Sequence, residues 1–379
     1  MHQSADVSVD AMIEDLRTLV ETESPSRDLD ALRASAKAVA SVIESRLGGQ
    51  AVLVESEAGP HVHWSAGGDP EVLILGHHDT VFPLGTLERL PFTVENGHAT
   101  GPGVFDMLGG VVQAVHGLAT LADRSGVEIL VTADEEVGSR SSRALVEERA
   151  LACGAVLVLE GAADGGALKT GRKGCGTFEV SVSGRASHAG LEPEAGINAL
   201  IEASHQVLDI AALSRPDIGT TVTPTVASAG TQGNVVPAQA TVVVDVRVES
   251  VDEKERVESA FAALTPHLDG AEITVRGAVG RPPMPESASA ELFAVAKKLL
   301  PGLEGMAVGG GSDGNFTAAL GVPTLDGLGA VGGGAHADHE YLVIEAMAER
   351  ANLVAGLVHA LRNTEDNEST RAVSARTRP

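Results

Sequence analysis

The stretch LGHHDTVFP, Leu75–Pro83, sets two histidines and an aspartate directly after the apolar run EVLIL. If the backbone stays extended, His77 and Asp79 at i and i+2 point the same way and His78 points away. A carboxylate accepting the second N–H of an imidazole fixes the ring and raises its basicity, which is how metal-binding histidines are commonly supported. HHD alone also suits a polar strand exit. Further along, ATGPGVFDMLGG places Asp106 between a Gly/Pro turn and a helix, as a ligand or as a turn residue or cap. TADEEVGS closes another apolar run with Asp134, Glu135 and Glu136, VLVLEGA ends a third on Glu160, and GGGAHADHE puts His336 after flexible glycines.

Adjacent buried carboxylates repel and are costly to ionise, a penalty that divalent ions reverse. For the DEE triplet by itself a surface acidic turn is the plainer reading, but Glu160 at the end of a buried run is expensive without a counter-charge. Taken together, His77, Asp106, Glu136, Glu160 and His336 suit two zinc ions, with one imidazole and one terminal carboxylate for each and Asp106 bridging. Nitrogen and oxygen donors that include histidines fit zinc better than magnesium and leave manganese, cobalt and nickel open. Two ions about 3.5–4 Å apart can share a water and clamp the attacking and leaving oxygens of a hydrolysis. Glu135, beside a ligand but free of the metals, is then the natural general base.

These residues need elements that deliver them to one place. Apolar residues recur at helical spacing from Met12 to Val20 and from Leu29 to Leu47, and a short AVLVE strand follows. EVLILG, VEILVTA and AVLVLE read as buried strands, with GGVVQAVHGLATLA and SRSSRALVEERA as helices between them. That alternation predicts an α/β fold with a largely parallel sheet, whose strand ends form the usual ligand crevice. From Gly174 the order becomes β-α-β-β-α-β, which predicts a ferredoxin-like α+β domain over 175–282. It would be inserted in a catalytic domain made of 1–174 and 283–362, with EYLVIEAMAERANLVAGLVHALR as a closing helix and 363–379 as a disordered tail. The open sheet leaves an edge that a second copy can pair with.

Asp and Glu outnumber Lys and Arg by 52 to 27, a formal charge of -25 without a local basic patch, which argues against a nucleic-acid backbone as partner. Neither a membrane span nor a signal-peptide pattern is read, so the expected location is cytoplasmic. Cys153 and Cys175 are too few for a disulfide framework and read as space-filling. Around Gly309, Gly310 and Gly311 the pattern lacks the lysine of a phosphate loop. Those glycines either let substrate approach the backbone or simply make a flexible loop. Arg247 offers a planar fork to a carboxylate, or is an exposed strand arginine. His116 and His205 fall within helices and read as packing or surface residues.

In the order HHDTV, GPGVFDMLGG, TADEEVGS, the LE ending at Glu160, GRASHAG, NVVPAQATVVVDVR, GGGSDGN and GGGAHADHE, the chain resembles the M20 family of dinuclear zinc exopeptidases and amidohydrolases, over almost its full length. The resemblance implies a zinc-exopeptidase-like catalytic domain with an inserted ferredoxin-like dimerisation domain, and hence a homodimer. It implies that the five residues above hold the metals, that Asp79 supports His77, and that Glu135 is the base. By the same resemblance His188 binds substrate or stabilises the transition state, often across the dimer, while Asn234 and Arg247 contact a substrate carboxylate or oxyanion. A histidine donating to an oxyanion helps because that bond strengthens as charge develops. The family's spacing to a following glutamate selects His336 and leaves His339 as a departure. Met107 and Leu108 also depart, standing where relatives carry a second carboxylate or a lysine. The HxDTV and DEExGS forms most resemble glutamate carboxypeptidases. The expected reaction is hydrolysis of the amide next to a C-terminal amino acid, on a small peptide or N-acyl amino acid with a free carboxylate. An N-acyl-amino-acid deacylase or dipeptidase is the alternative, and a metal-stabilised binding or scaffold dimer is the reading outside enzymes.

Overall fold

The computed structural model describes residues 7–363. The expectation of a disordered tail over 363–379 lies outside the described residues but for Asn363, which caps the last helix. Two compact units emerge. One comprises the residues up to Gly171, then Glu286–Val308 and the chain from Ser312 on; the other is Arg172–Pro285 with Gly309–Gly311. The second unit thus takes in the span 175–282 read from the sequence as a separate domain, and the glycine run groups with it.

In the first unit, Val72–His77, Val127–Thr132, Val156–Val158 and Thr324–Leu325 run parallel, and the sheet is extended antiparallel by His61–Ser65 and Val52–Val54. Every residue of Val72–His77 and Val127–Thr132 is buried, as unbroken apolar runs require when helices cover both faces. The helices Val9–Glu21 and Leu29–Leu47 begin where Ser8 and Asp28 accept from Ala11 N–H and Ala31 N–H, at 3.3 and 3.0 Å. Their apolar stripes, with Leu16, Val39 and Ile43, join Val112, Leu118 and Val354 in one core. At the start of the helix Gly109–Ala119, only glycine fits at 110. A Cβ there would lie 2.2 Å from the carbonyl oxygen of Leu159, the residue before Glu160.

The closing helix is shorter than the sequence suggested. Tyr341–Val343 is a strand, held between His98–Thr100 and Gly332–Gly333, and the helix spans Met347–Arg362. Glu340 precedes it as a buried residue rather than as part of an amphipathic face. No helix among the described residues is long and apolar enough to cross a membrane.

The second unit has the β-α-β-β-α-β order: Gly174–Ser183, Ala199–Ala211, Thr221–Ala229, Gln239–Val248, Val251–Ala262 and Glu272–Arg281. Its antiparallel sheet runs Thr221–Ala229, Gln239–Val248, Gly174–Ser183, Glu272–Arg281 from edge to edge. Val242, Val244, Val246 and Val248 alternate with outward residues along the central strand and pack with Phe178 and Phe261.

Candidate metal centre

The parallel strands of the first unit share a direction, so their carboxyl ends meet at one edge of the sheet. His77 ends its strand, Asp134–Glu136 follow Thr132, and Glu160 lies just beyond Val158. Asp106 arrives on the wide turn Val104–Leu108, which leaves helical geometry at Asp106 (φ -84°, ψ 81°) and Met107 (φ 95°, ψ -44°). His336 comes from the loop before Glu340, at φ 62°. Positive φ in a non-glycine residue is costly and persists where surrounding structure enforces it. Met107, Ser139 and His336, three of the five such residues described, flank or belong to this cluster.

Asp106 stands between the two imidazoles. Its Oδ1 is 3.7 Å from His77 Nε2 and its Oδ2 2.9 Å from His336 Nε2. Glu160 Oε1 lies on the His77 side, 3.8 Å from Nε2, and Glu136 Oε1 on the His336 side, 3.1 Å from Nε2. His77, Asp106 and Glu136 each offer a ligand atom within 4.8 Å of the others. Two nitrogens and three carboxylates gathered about Asp106 are donors of the kind that suit a borderline-soft divalent ion.

Burial alone would lower the His77 pKa, but hydrogen bonds to Asp106 and Asp79 hold it well above the ordinary value. Hydrogen bonds to Asp106 and then Glu136 take His336 up to about 10. Burial pushes the Asp106 carboxyl up, yet His336 and His77 outweigh it and keep the group far below the usual carboxylate range. In the protein alone, imidazolium protons thus offset the carboxylates. A divalent ion held there would substitute for them, and its uptake would release protons.

Asp79, fully buried, does more than support His77. His77 Nδ1–H donates to the backbone carbonyl of Asp79 at 2.9 Å, with the Asp79 carboxylate farther off at 3.5 Å. The carboxylate itself accepts from Ser26 Oγ (2.7 Å) and from the backbone N–H groups of Glu135 (3.1 Å) and Glu136 (3.2 Å). It therefore anchors the turn that separates the expected base from the neighbouring ligand. Asp134 closes the same turn through Ser141, at 2.7 Å to the N–H and 2.9 Å to the hydroxyl. His78 points away, between Ser35 Oγ and the Pro60 carbonyl, and burial takes its pKa down to about 4. Met107 is buried rather than polar, its Sδ 2.8 Å from where a Cβ on Gly76 would be. Asp338 pairs with Arg89.

Ser26 and Glu340 escaped the sequence reading. Glu340 accepts from the N–H groups of Gly103, Phe105 and Asp106, at 3.0, 2.9 and 2.8 Å. Its burial and the charge of Asp106 push its carboxyl up to about 7 against the pull of those bonds. The only trace in the sequence was its fixed spacing from His336.

The remaining expected residues belong to the second unit. His188 Nδ1 accepts from Gly190 and Leu191 N–H, both at 3.1 Å, so a neutral ring carries its proton on Nε2. The Ala189 N–H donates to the Asn234 carbonyl at 2.9 Å, so His188 and Asn234 share one end of the sheet. Arg247 is at the other end, because Gln239 pairs with Ser183 while Arg247 pairs with Cys175. The intervening strand covers about 26 Å at roughly 3.3 Å per residue. Arg247 holds Asp245 through Nε and Nη2, at 3.0 and 2.9 Å. Arg281, also missed from the sequence, pairs with Cys175 from the opposite side, making a row Arg281, Cys175, Arg247 across three strands. Arg172 donates to the carbonyls of Gly310 (3.0 Å) and Gly311 (3.3 Å), and space around Gly309 is open.

Residues 73–360 match the model of peptidase family M20/M25/M40. Carboxypeptidase G2 of Pseudomonas sp. (strain RS-16) is 35% identical over 309 residues, covering 77% of this chain and 74% of that protein. The structure of aminopeptidase PepT from Bacillus cereus superposes with a TM-score of 0.74 at 20% identity, over 94% of this chain and 99% of that one. An M20 family metallo-carboxypeptidase from Sulfolobus solfataricus gives 0.69 at 17% identity, over 95% and 99%. The chain belongs to peptidase family M20/M25/M40 and is a metal-dependent peptidase or amidohydrolase.

Proposed function

We propose that the protein is a glutamate carboxypeptidase-like hydrolase, cleaving the amide bond next to a C-terminal amino acid in a small peptide or N-acyl conjugate. The observation that carries this reading is Asp106, whose two oxygens face different imidazoles, each with its own terminal carboxylate. His77 with Glu160 and His336 with Glu136 would hold one divalent ion each, zinc by donor type, and Asp106 both. When bound, divalent metal would polarise the scissile carbonyl and lower the pKa of a water that it holds.

Glu135, buried and fixed through its backbone by Asp79, takes the water's proton and passes it to the leaving amine. The Nε2–H of His188 donates to the oxyanion, with Asn234 beside it. The row Arg281, Cys175, Arg247 favours a dicarboxylate such as a C-terminal glutamate; the Nη1 end of Arg247 is the part that faces a ligand, since Asp245 takes the Nε edge. A substrate of a few residues does not span the sheet that separates His188 from Arg247. This supports a homodimer in which one copy supplies His188 and Asn234 and the other Arg247. The edge strand Thr221–Ala229 and the exposed Leu200, Ile201 and Leu208 offer the pairing surface. A cytoplasmic setting suits the two free thiols.

The test is Glu135→Gln, assayed on N-acyl-glutamates, other N-acyl amino acids and free dipeptides at matched concentration. We expect metal content by mass spectrometry to stay near two ions per chain and kcat to fall about 10²–10⁴-fold. Near-parental turnover removes Glu135 from the base role, and preference for dipeptides with a free amine overturns the carboxypeptidase reading.

A further inference from the structure

Burying a carboxylate is expensive unless its oxygens are hydrogen-bonded or paired. Glu340 is 2% exposed, yet no arginine or lysine is among its bonded partners; its three acceptor bonds all go to backbone N–H groups of one loop. That loop is irregular: Gly103 is at φ 74°, and after Asp106 the chain passes through Met107 at φ 95°. Such a backbone directs successive N–H groups inward, toward an anion, instead of along a helix. The carboxylate is the anion that satisfies them. Its own chain segment is equally constrained, with Ala337 N–H donating to Gly334 (2.9 Å) and Glu340 N–H to Ala337 (3.0 Å) across the turn that contains His336.

We propose that Glu340 is a positioning residue of the metal centre, tying the Asp106 loop to the His336 loop so that the bridging carboxylate and the second imidazole meet. The inference rests on the metal-site reading given above. One side chain thereby couples two ligands far apart in sequence, and it does so without touching either ligand's donor atoms. The approach that such a tie would serve is that of His336 Nε2 to Asp106 Oδ2, at 2.9 Å.

Glu340→Gln keeps shape and volume, but its single oxygen cannot serve three N–H groups, and its amide presents donors to at least one of them. Glu340→Asp keeps the charge and withdraws the oxygens by one methylene. Zinc and cobalt affinities would be measured on folded protein, well below each variant's melting temperature, by competition with a chromophoric chelator. The visible spectrum of the cobalt-loaded protein reports ligand geometry. We expect Glu340→Gln to weaken metal binding about 10–100-fold, the usual range for residues that orient ligands. Its cobalt bands should shift, and kcat should fall at saturating metal while KM stays within about twofold. Glu340→Asp should recover part of the affinity. A lowered melting temperature with parental metal affinity and cobalt spectrum would overturn the proposal and leave Glu340 a fold-stabilising residue only. If the parent chain itself takes up no metal, the metal-site reading fails instead, so the two failures are distinguishable.

Discussion

Asp79→Asn tests whether one carboxylate holds the catalytic turn. In the structure Oδ2 takes the Ser26 hydroxyl and the Glu136 N–H, and Oδ1 takes the Glu135 N–H. An asparagine can place its oxygen at either position. With the oxygen at Oδ2 the amide NH2 opposes the Glu135 N–H; with it at Oδ1 the NH2 opposes Glu136, while Ser26 can rotate and accept. Either way one buried backbone donor loses its acceptor and meets another donor. Orphaning a buried donor costs about 1–3 kcal/mol, and bonds to an ionised acceptor lie in the upper part of the range. We therefore expect a loss of about 2–3 kcal/mol. Because the orphaned groups belong to Glu135 and Glu136, the same displacement reaches the proposed base. Expressed wholly in the transition state, it corresponds to a fall in kcat of roughly 30- to 150-fold, at about 1.36 kcal/mol per factor of ten. His77 keeps the Asp79 carbonyl at 2.9 Å, so metal content should be retained. The assay pairs urea unfolding with steady-state kinetics at saturating zinc. It is run on Asp79→Asn, Ser26→Ala and the double variant, whose stability effects should fall short of additive because they share the Oδ2 bond. Parental kcat and urea midpoint in Asp79→Asn refute the clamp, and strict additivity with Ser26→Ala refutes the shared bond.

The other expectations concern the frame around the site. Gly110→Ala puts a Cβ 2.2 Å from the Leu159 carbonyl oxygen, a backbone collision that should cost more than about 3 kcal/mol and show as lost soluble yield or a large drop in melting temperature. Asp15 is half-buried; burial raises its carboxyl, but hydrogen bonds from Arg46 (2.8 and 3.0 Å) and His116 (2.6 Å) bring it below its ordinary value of 3.8. A depressed carboxyl stabilises above its unfolded pKa and loses that contribution as pH falls through the folded one. Asp15→Asn should accordingly lower the urea midpoint at pH 7, with the difference from parent shrinking below pH 4. Burial and the charge of Glu128 push the Cys153 thiol up to about 12, so a thiol reagent at pH 8 should modify at most Cys175 in the folded protein and both cysteines after unfolding.

What the sequence disclosed depended on whether a residue's role is local. His77, Glu136 and Glu160 end or follow short apolar runs, and parallel strands bring such ends together, so that both the sheet and the clustering of these side chains were legible. The order of the inserted unit was legible for the same reason, since alternation along Gln239–Val248 marks its inner face. The short strands Thr324–Leu325, Gly332–Gly333 and Tyr341–Val343 were not. Two or three residues carry no period, and the last was absorbed into the helix that follows it.

Asp79 was read as a support for His77, but its hold on the following turn and that of Glu340 on the Asp106 loop were hidden for a different reason. A side chain that accepts from a backbone N–H leaves no mark on the residue whose N–H it is, so nothing at Glu135, Gly103 or Phe105 announces Asp79 or Glu340. The converse also holds at Met107 and His336, where positive φ would ordinarily call for glycine and the chain has a methionine and a histidine. Their side chains are needed, Met107 to fill the space against Gly76 and His336 to reach Asp106 and Glu136, so local preference yields. Backbone strain at those two positions is stable only while the loops carrying them are held from outside. Proposed ligand residues recognisable by type thus depend on anchoring contacts recognisable only by geometry.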